Sequence, residues 1–503
     1  MELWQLLGIF FSTTIAGVIC RVIYKISSNL ASPVSRQLPG PKPASYLFGN
    51  VREFSVRGTP SLDLFEEWAE KYGGIFRYYL LFCEPRVVVT DPQILKHIYV
   101  TNWKNYWKST PIGFSASVKF IGNEGLVFSN GELHKRHRKM INPVFRISNL
   151  KKFLIIFEDC AKKLTTLWLK NLEKHGKSEP ILMPIKNDLS RVTLEIIGKA
   201  AFGFNFNCIE RDSVLSETFA KLTSCKKPFR HIFRFLPFWE NLPIPENLKA
   251  CRERSLISRC VDSMIARKRE LMANEVGRES IGKDLLGMML LARDPDTGES
   301  LSCSELRDET MTFLAAGHET TSLGLSWTLL HLALHPLEQT KCREEILATL
   351  PESNITFEDI ERLEYLNAAV QESLRLRTPA PASLRQTMKD DFLGDYYVPM
   401  GTKVLTLHGV MQRLPNNWNC PLAYDPSRFL DQKADVSDAY MPFGAGPRKC
   451  IGYKFAVLEL TTVLAILLRQ FEFLPHPTVE YKSHMLFTQS PYPNLELLVR
   501  KHG

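Results

Sequence analysis

The pattern of apolar and polar positions along the chain predicts a mainly helical body. From Cys303 to His335, apolar residues recur at helical spacing, and no proline occurs until Pro336. This stretch predicts one helix on the order of 50 Å long, at about 1.5 Å per residue. Short runs rich in β-branched residues at Arg86 to Thr90 and at Lys403 to Leu407 predict strands. The predicted fold class is therefore mainly α with a minor β-sheet region.

The first segment of the chain is long and apolar enough to be a membrane anchor. No charged residue occurs from Leu3 to Cys20, and the apolar character continues to Tyr24, which is about the length of helix that crosses a bilayer. A cleaved signal peptide has a basic start and a shorter apolar core, so these features favour an uncleaved transmembrane helix. Basic residues follow the span and place the body in the cytoplasm by the positive-inside rule; they are Arg21, Lys25, Arg36 and Lys42.

A proline-rich connector separates this anchor from the body. The three prolines of Leu38–Pro43 cannot continue a helix, and they predict a short, stiff, extended chain. We divide the sequence into a transmembrane anchor at 1–26, a basic and proline-rich hinge at 27–45, and a folded body at 46–503. Between Phe229 and Trp239, aromatic residues are mixed with arginines. This composition fits a second contact with the membrane interface and, equally, an ordinary internal helix and loop.

The composition is that of a globular, enzyme-sized protein. The 503 residues are 45% hydrophobic and 23% charged, with a formal net charge of +9. The basic residues are spread widely and no nucleic-acid-binding motif occurs, so an acidic protein partner is the better interpretation of this charge. The densest basic cluster is His134 to Lys139, which we interpret as a solvated helix face. Eleven cysteines without a CxxC pair favour neither a zinc ribbon nor a disulfide framework.

The stretch Phe443–Gly452, FGAGPRKCIG, carries the strongest chemical signal in the chain. It places Cys450 in a tight glycine turn that opens a helix, where a thiolate would be a ligand for iron. Phe443 can pack against the face of a flat cofactor, and Arg448 can give two parallel hydrogen bonds to a haem carboxylate. The glycines of this stretch permit backbone geometry and close approach that a side chain would block; they are Gly444, Gly446 and Gly452.

Two other interpretations of this stretch are weaker. A dinucleotide-binding loop would need a third glycine where Lys449 stands, and no Walker lysine pattern follows. A lone cysteine is often core filler, but the flanking glycines and Arg448 favour a ligand at Cys450.

A polar motif interrupts the middle of the long predicted helix. Within AAGHETTS, the Thr320 hydroxyl can bond to the carbonyl of Ala316, which loosens the helix and opens a niche for oxygen and water. Glu319 is then adjacent for proton delivery. The small residues 315–317 are expected to leave room for a flat cofactor. A zinc-protease HExxH motif is excluded because Ser322 occupies its second histidine position, and a polar patch on a bundle helix is the remaining alternative.

A structural ionic lock is expected downstream of this helix. Glu372 and Arg375 lie three residues apart on a predicted helix and therefore share one face. Such a pair alone carries little information, because exposed pairs contribute about 0 to 1 kcal/mol. Arg428, ahead of Cys450, is expected to join them. If the three are buried, removing one would cost about 3 to 5 kcal/mol.

These four elements, in this order, resemble the cytochrome P-450 family of haem-thiolate monooxygenases, over essentially all of the chain after the anchor. AGHETT at 316–321 is similar to the oxygen-activation motif of the family, and ESLR at 372–375 to its helix-borne ionic pair. DPSRF at 425–429 is similar to the segment of the third ionic partner, and 443–452 to the cysteine loop. The resemblance implies the P-450 fold preceded by one N-terminal transmembrane helix, with 46–503 as the haem-thiolate catalytic domain.

The resemblance also implies roles for single residues and haem b, iron protoporphyrin IX, as the cofactor. Cys450 would be the axial thiolate that pushes electron density onto the iron, and Glu319 and Thr320 would deliver protons. The residues that hold the haem propionates would be Arg138, Arg385 and Arg448. The substrate pocket would be lined by Ile112 to Val118, the helix before Gly317, Pro379 to Leu384, and Phe487 to Ser490.

Two positions depart from the pattern of the family. His134 stands where tryptophan is usual, four residues before Arg138, so one propionate contact is altered. A histidine at this position is associated with fungal members. Ser427 stands where glutamate is frequent, while the ionic partner Arg428 is intact. Neither departure removes a catalytic group.

The resemblance implies a microsomal enzyme with its catalytic domain on the cytoplasmic side of the endoplasmic reticulum membrane. It would take NADPH electrons from a flavoprotein reductase, with cytochrome b5 as a further partner, and hydroxylate or epoxidise a lipophilic small molecule. No nucleic-acid partner is expected. Two alternatives stay open: a haem-thiolate isomerase or dehydratase acting on a peroxide, against which Glu319 and Thr320 argue, and a noncatalytic membrane haem-binding protein.

Overall fold

Helices predominate in the protein, and the described residues form four small sheets beside them, which confirms the predicted fold class. The computed structural model describes residues 2–56, 62–110, 121–122, 124–176, 179–210, 218, 242–273, 282, 284–352, 354–430, 438–485 and 487–502. Two segments singled out in the sequence, 112–118 and 229–239, lie outside the described residues.

The α-helices are α1 (Glu2–Ala31), α2 (Pro33–Gln37), α3 (Val51–Val56), α4 (Asp63–Tyr72), α5 (Pro92–Lys96), α6 (Gly131–Ile141), α7 (Ile147–His175), α8 (Ile185–Phe202), α9 (Pro245–Ala273), α10 (Leu285–Leu291), α11 (Cys303–Leu334), α12 (Pro336–Thr349), α13 (Phe357–Glu361), α14 (Glu364–Leu376), α15 (His408–Met411) and α16 (Tyr453–Gln470). The strands are β1 (Ile75–Tyr79), β2 (Pro85–Val89), β3 (Tyr106–Lys108), β4 (Ile181–Met183), β5 (Ser383–Thr387), β6 (Asp391–Leu393), β7 (Tyr396–Val398), β8 (Lys403–Thr406), β9 (Phe471–Leu474), β10 (Lys482–Met485), β11 (Gln489–Tyr492) and β12 (Leu497–Lys501).

Helix α1 contains the predicted anchor and extends to Ala31. The stretch Ile9–Ala31 is 23 residues long with a mean hydropathy of 1.6 and is not buried against the protein, so its length and composition allow it to cross a membrane. Helix α2 falls inside the predicted hinge, and 38–43 has no regular structure. The Asn29 side-chain amide donates to the Phe82 carbonyl at 2.9 Å. This bond joins the end of α1 to the turn between β1 and β2.

Helix α11 has the bounds that the sequence predicts and passes through the largest core of the protein. Its first turn is closed by a capping box, in which Ser302 and Glu305 satisfy each other's backbone N–H groups. Most of its side chains are buried on all sides, as expected of a helix enclosed by others. Helices α8, α14 and α16 pack against it, so the helix that carries the central motif is enclosed by three other helices.

The largest sheet has five strands in the order β1-β2-β8-β5-β3. The two strands predicted from sequence, here Pro85–Val89 and Lys403–Thr406, are parallel neighbours in it. Strand β3 pairs with β5 in antiparallel register, which sets Lys108 directly opposite Arg385. This register brings two basic residues, Lys108 and Arg385, from distant parts of the chain next to each other.

The interpretation of His134 to Lys139 as a solvated helix face is wrong for most of its residues. The segment lies in α6, where His134 and His137 are buried and Lys135 and Lys139 are exposed. The two His137 ring nitrogens lie 2.7 Å from a Glu309 oxygen and 3.2 Å from a Glu305 oxygen. Helical periodicity turns one side of α6 towards α11, and the carboxylates of α11 neutralise the charge that this side buries.

Candidate active site

The glycine-rich turn before Cys450 has the geometry that the sequence predicts. Gly444 and Gly446 have φ values of +67° and +64°, which residues with a side chain rarely adopt. A Cβ atom on Gly446 would lie 2.0 Å from the carbonyl oxygen of Tyr99. The backbone N–H of Cys450 donates to the Phe443 carbonyl at 2.9 Å and closes the turn. The cysteine is therefore presented by a rigid loop.

Gly452 lies where the cysteine loop joins helix α16. It precedes the first residue of α16, and a Cβ atom there would meet the Phe145 ring at 3.5 Å, an ordinary contact. The Phe443 ring is half-buried, packs on the main core and lies 6.1 Å from the Tyr453 ring.

The Cys450 side chain is accessible on one side of the loop, while protein atoms crowd it from the others. Burial raises the pKa of its thiol, and the Gly452 backbone N–H, Arg138 and Lys449 act in the opposite direction. A cysteine ligand is bound as its thiolate, so metal binding at Cys450 would release this proton.

Two of the predicted arginines contact the loop or its neighbours. Arg138 donates from Nη1 to the Lys449 carbonyl at 2.6 Å, directly before the cysteine. Arg448 donates from Nη2 to Asn130 Oδ1 at 2.9 Å. The Asn130 side chain also bonds to both backbone groups of Lys108, at 2.8 and 3.0 Å. Sequence reasoning missed Asn130 and Lys108, because only the tertiary structure brings them here.

Arg138, Arg385, Arg448 and Lys108 together form what we call the cationic cluster. Burial, followed by the charges of Arg385 and Arg138, lowers the pKa of Arg448 to about 9. Burial, Arg385 and Arg448 lower the pKa of Lys108 well below its usual value. Arg385 is 4% exposed, and its Nε, like Nη1 of Arg448, has no hydrogen-bond partner among the described residues. The cluster is thus a concentration of positive charge in which Arg385 is buried and the other three residues are partly buried.

The cationic cluster fits the carboxylates of a haem. Like charges set opposite each other on neighbouring strands repel, and a buried charge is costly unless it is paired. No carboxylate of the described residues pairs with these four cations. Two propionate groups would supply the missing acceptors, and the cluster lies beside the loop that presents Cys450. The residues present therefore fit a haem held by a cysteine thiolate.

His134, the departure noted in the sequence, lies inside this environment. It is 3% exposed. Burial and then Arg448, Arg138 and Arg385 lower the pKa of its imidazole to about 3. The ring is therefore neutral at physiological pH and adds no further charge to the cluster.

The polar motif of α11 has the predicted hydrogen bond and one contact that the sequence did not predict. Thr320 Oγ1 donates to the Ala316 carbonyl at 2.6 Å. Glu319 Oε1 accepts a hydrogen bond from Thr488 Oγ1 at 2.9 Å, and Thr488 lies in a segment predicted to line the substrate pocket. A second pocket segment is close by, because the Gln489 N–H donates to the Pro379 carbonyl at 2.8 Å.

The expectation that the small residues 315–317 all leave room for a cofactor is wrong for Gly317. A Cβ atom on Gly317 would lie 2.8 Å from the Ile197 side chain of α8. The glycine therefore permits close packing of α8 on α11. Which side of the helix faced which neighbour was not readable from the sequence.

The three residues of the expected ionic lock lie together. Glu372 and Arg375 are fully buried and joined by two hydrogen bonds of 2.7 Å, and Arg428 Nε lies 3.4 Å from Glu372 Oε1. Arg375 also donates to the carbonyls of Gln412, Pro421 and Ala423, at 2.7 to 3.1 Å. This cluster ties α14 to the chain that leads towards the cysteine loop.

Gln412 is a second link of this kind that sequence reasoning missed. Its side-chain amide donates to Thr378 Oγ1 at 2.7 Å, and its side-chain oxygen accepts from the Met441 N–H at 2.7 Å. It thereby connects the end of α14 to the residues just before Phe443. A lone glutamine gives no sequence signal for such a role.

Comparisons with known proteins identify the family of this chain. The family model for Cytochrome P450 matches residues 39–496. The chain is 28% identical over 525 residues to cytochrome P450 monooxygenase 205 of Postia placenta, covering 96% of this chain and 94% of that protein. It is 34% identical over 398 residues to cytochrome P450 4F12 of Homo sapiens, covering 76% of this chain and 72% of that protein. A fungal protein is thus among its relatives, consistent with the histidine at position 134. The chain belongs to the cytochrome P450 family, whose members hold haem through a cysteine thiolate, and is an oxidoreductase of the monooxygenase type.

Proposed function

We propose that this chain is a membrane-anchored monooxygenase that uses NADPH electrons to hydroxylate or epoxidise a lipophilic small molecule. The observation that carries the proposal is the position of the cationic cluster beside the loop of Cys450. The loop provides the thiolate, and the cluster provides the partners for haem propionates. The apolar helix α1 supports attachment to a membrane, which we propose to be that of the endoplasmic reticulum, with the catalytic domain in the cytoplasm.

Haem b, when bound, supplies the iron centre at which dioxygen is activated. Cys450 Sγ would bind the iron, with the Gly452 N–H and Arg138 stabilising the thiolate. Arg385 and Arg448 would donate from Nε and Nη1 to the propionates, with Lys108 and Arg138 beside them. The ionic lock of Glu372, Arg375 and Arg428 would hold the chain that leads to the cysteine loop in place.

Glu319 and Thr320 would move protons. The Thr320 hydroxyl donates its hydrogen bond to the Ala316 carbonyl, so its oxygen can accept a hydrogen bond from a water molecule and hold that water in place. The Glu319 carboxylate, next to it on α11, can take a proton from solvent and pass it to that water. The presence of this pair favours oxygen reduction over rearrangement of a peroxide.

An NADPH-dependent flavoprotein reductase would supply the electrons, with cytochrome b5 as a further donor. The reduced, CO-bound protein is expected to give the thiolate-type, red-shifted Soret band, and Cys450→Ser is expected to abolish it. An imidazole-type band, or no band in the intact fold, would overturn the proposal. NADPH-dependent oxygen uptake with a reductase would then separate a monooxygenase from an isomerase that needs no electrons.

Thr320→Ala tests the proton pathway separately. This variant is expected to keep the thiolate-type band while a larger share of NADPH electrons is recovered as hydrogen peroxide. The ratio of peroxide formed to NADPH consumed measures the effect, and an unchanged ratio would count against the role of Thr320.

A further inference from the structure

The turn between strands β10 and β11 reaches helix α11 at Glu319. Thr488 of this turn is 8% exposed, and its hydroxyl donates to Glu319 Oε1 at 2.9 Å. Burial lowers the pKa of Lys186, at the start of α8, and the Glu319 charge raises it. The glutamate side chain is therefore bonded to the hairpin, and its carboxylate lies close enough to Lys186 for the two charges to interact.

The turn that carries Thr488 is itself fixed to the same helix and to the loop after α14. Trp327 of α11 donates from Nε1 to the Gln489 carbonyl at 2.9 Å. The Gln489 N–H donates to the Pro379 carbonyl at 2.8 Å, and the Gln489 side chain is 1% exposed. Because the residue next to Thr488 is anchored on both its N–H and its C=O, the hydroxyl of Thr488 has a defined position relative to Glu319.

A single hydroxyl is enough to select one arrangement of a glutamate side chain. Ordering a glutamate side chain costs rotamer freedom, and a hydrogen bond to a charged group is strong enough to offset that cost. A proton donor works only when it lies within about 2.6 to 3.2 Å of its acceptor, directly or through one water. The orientation of Glu319 therefore controls whether it can serve Thr320.

We infer that Thr488 is a positioning residue that holds the Glu319 carboxylate in the orientation from which it delivers protons. This inference rests on the proposed function, in which Glu319 supplies protons for oxygen reduction. The hairpin turn, which the resemblance to the family assigns to the substrate pocket, thereby also takes part in the proton pathway.

The test compares Thr488→Val, which keeps the shape and removes the hydroxyl, with Thr488→Ser, which keeps the hydroxyl. Ser483→Ala is the matched control, because Ser483 is a buried hydroxyl of the same hairpin with no hydrogen-bond partner among the described residues. The full-length proteins are placed in phosphatidylcholine nanodiscs with an NADPH-dependent flavoprotein reductase and no added substrate. The rate of NADPH oxidation is measured in H2O and in D2O.

Thr488→Val is expected to slow NADPH oxidation about fivefold and to raise the solvent isotope effect of this reaction, because general acid catalysis is partly lost. Thr488→Ser and Ser483→Ala are expected to stay within about twofold of wild type. Glu319→Asp, which withdraws the carboxylate by one methylene, is expected to reproduce the loss with Thr488 intact. Adding Thr488→Val to Glu319→Gln is expected to change nothing further, because the two residues act as one unit.

Two results would overturn the inference: a wild-type rate and isotope effect in Thr488→Val, or an equal loss from that change in the Glu319→Gln background. The thiolate-type Soret band of each variant shows that its haem site is intact. Should Thr488→Val lack that band, the Glu319→Asp result decides, and wild-type behaviour there overturns the inference. A wild-type chain without the band or without NADPH-dependent oxygen uptake would instead show failure of the proposed function.

Discussion

Two groups of charged residues near the cysteine loop differ in how their charge is neutralised, because among the described residues a carboxylate pairs with the ionic lock but none pairs with the cationic cluster. In the ionic lock, Glu372 and Arg375 are fully buried, and the Arg375 guanidinium is surrounded by a carboxylate and three backbone carbonyls. In the cationic cluster, Arg385 and Arg448 have nitrogen atoms without partners among the described residues, and burial lowers the pKa of both. The ionic lock is complete in the sense that it contains its own carboxylate, and it supports the fold. The cationic cluster is incomplete, because no carboxylate of the described residues pairs with it, and we propose that haem propionates take this place.

The two clusters also differ in how the chain assembles them. Glu372 and Arg375 are one helical turn apart on α14, so local periodicity already places them on one face. The cationic cluster takes one residue from each of four elements or loops, and it depends on the pairing of β3 with β5 and on the packing of α6 beside the cysteine loop.

The largest expected effect tests the complete cluster. Glu372→Ala leaves the Arg375 charge buried without its carboxylate, so we expect the free energy of unfolding to fall by about 3 to 5 kcal/mol. Urea unfolding followed by circular dichroism measures this. The control is Glu364→Ala, at the exposed start of the same helix, for which a loss below about 1 kcal/mol is expected. Equal losses in the two variants would show that the lock is no stronger than a surface charge.

The second prediction concerns pH and a neighbour of the cationic cluster. His408 is buried and lies 2.7 Å from the Ala380 carbonyl through Nε2. Burial lowers the pKa of its imidazole to about 4, the Ala380 bond opposes this, and Lys108 and Arg385 lower it further. In the unfolded chain the pKa of histidine is about 6.5. The unfolded chain therefore binds one more proton between these values, and stability falls as the pH drops from about 6.5 to about 4.

The expected loss over that window is about 3 kcal/mol for this histidine. Unfolding free energies at pH 7.5 and at pH 5 measure most of it, and His408→Asn is expected to have a flatter pH dependence than wild type. Parallel pH profiles for the two proteins would contradict the assigned pKa.

The third prediction tests the incomplete cluster through its ligand. Arg385→Gln removes the cation that we propose to donate to a haem propionate, so we expect haem binding to weaken by about 1.5 to 3 kcal/mol and haem loss to speed up about 10- to 100-fold. Haem transfer to apomyoglobin measures the rate. Lys389→Gln, an exposed basic residue that follows the same strand, is expected to leave the rate unchanged. A wild-type rate in Arg385→Gln would show that this cation does not bind the cofactor.

The smallest effect is expected for an exposed ion pair, which serves as a surface reference for the two clusters. Lys135 and Glu132 form an ion pair on α6 with side chains 67% and 88% exposed. Lys135→Ala is expected to change the free energy of unfolding by no more than about 0.5 kcal/mol, because such pairs are screened by water. Urea unfolding checks this, and a loss above about 1 kcal/mol would place the pair with the buried clusters.

Sequence reasoning succeeded where the chemistry is local. The turn around Cys450, the Thr320 bond to the Ala316 carbonyl and the pair of Glu372 with Arg375 all depend on residues within a few positions of one another. It failed where two distant segments meet. The sequence predicts a solvated helix face at 134–139, but His134 and His137 of this segment are buried. It also predicts that Gly317 faces a cofactor, whereas Gly317 faces Ile197.

By itself, the sequence determined the helical fold class, the apolar N-terminal helix, the rigid cysteine turn and the resemblance to the cytochrome P450 family. Helical spacing, glycine conformation and side-chain chemistry are properties of short stretches of chain, so they can be read directly. Only the tertiary structure decided that Lys108 lies opposite Arg385, that Asn130 bonds to Arg448 and that Thr488 reaches Glu319. These contacts join residues that are 169 to 318 positions apart, and their geometry is set by strand register and helix packing.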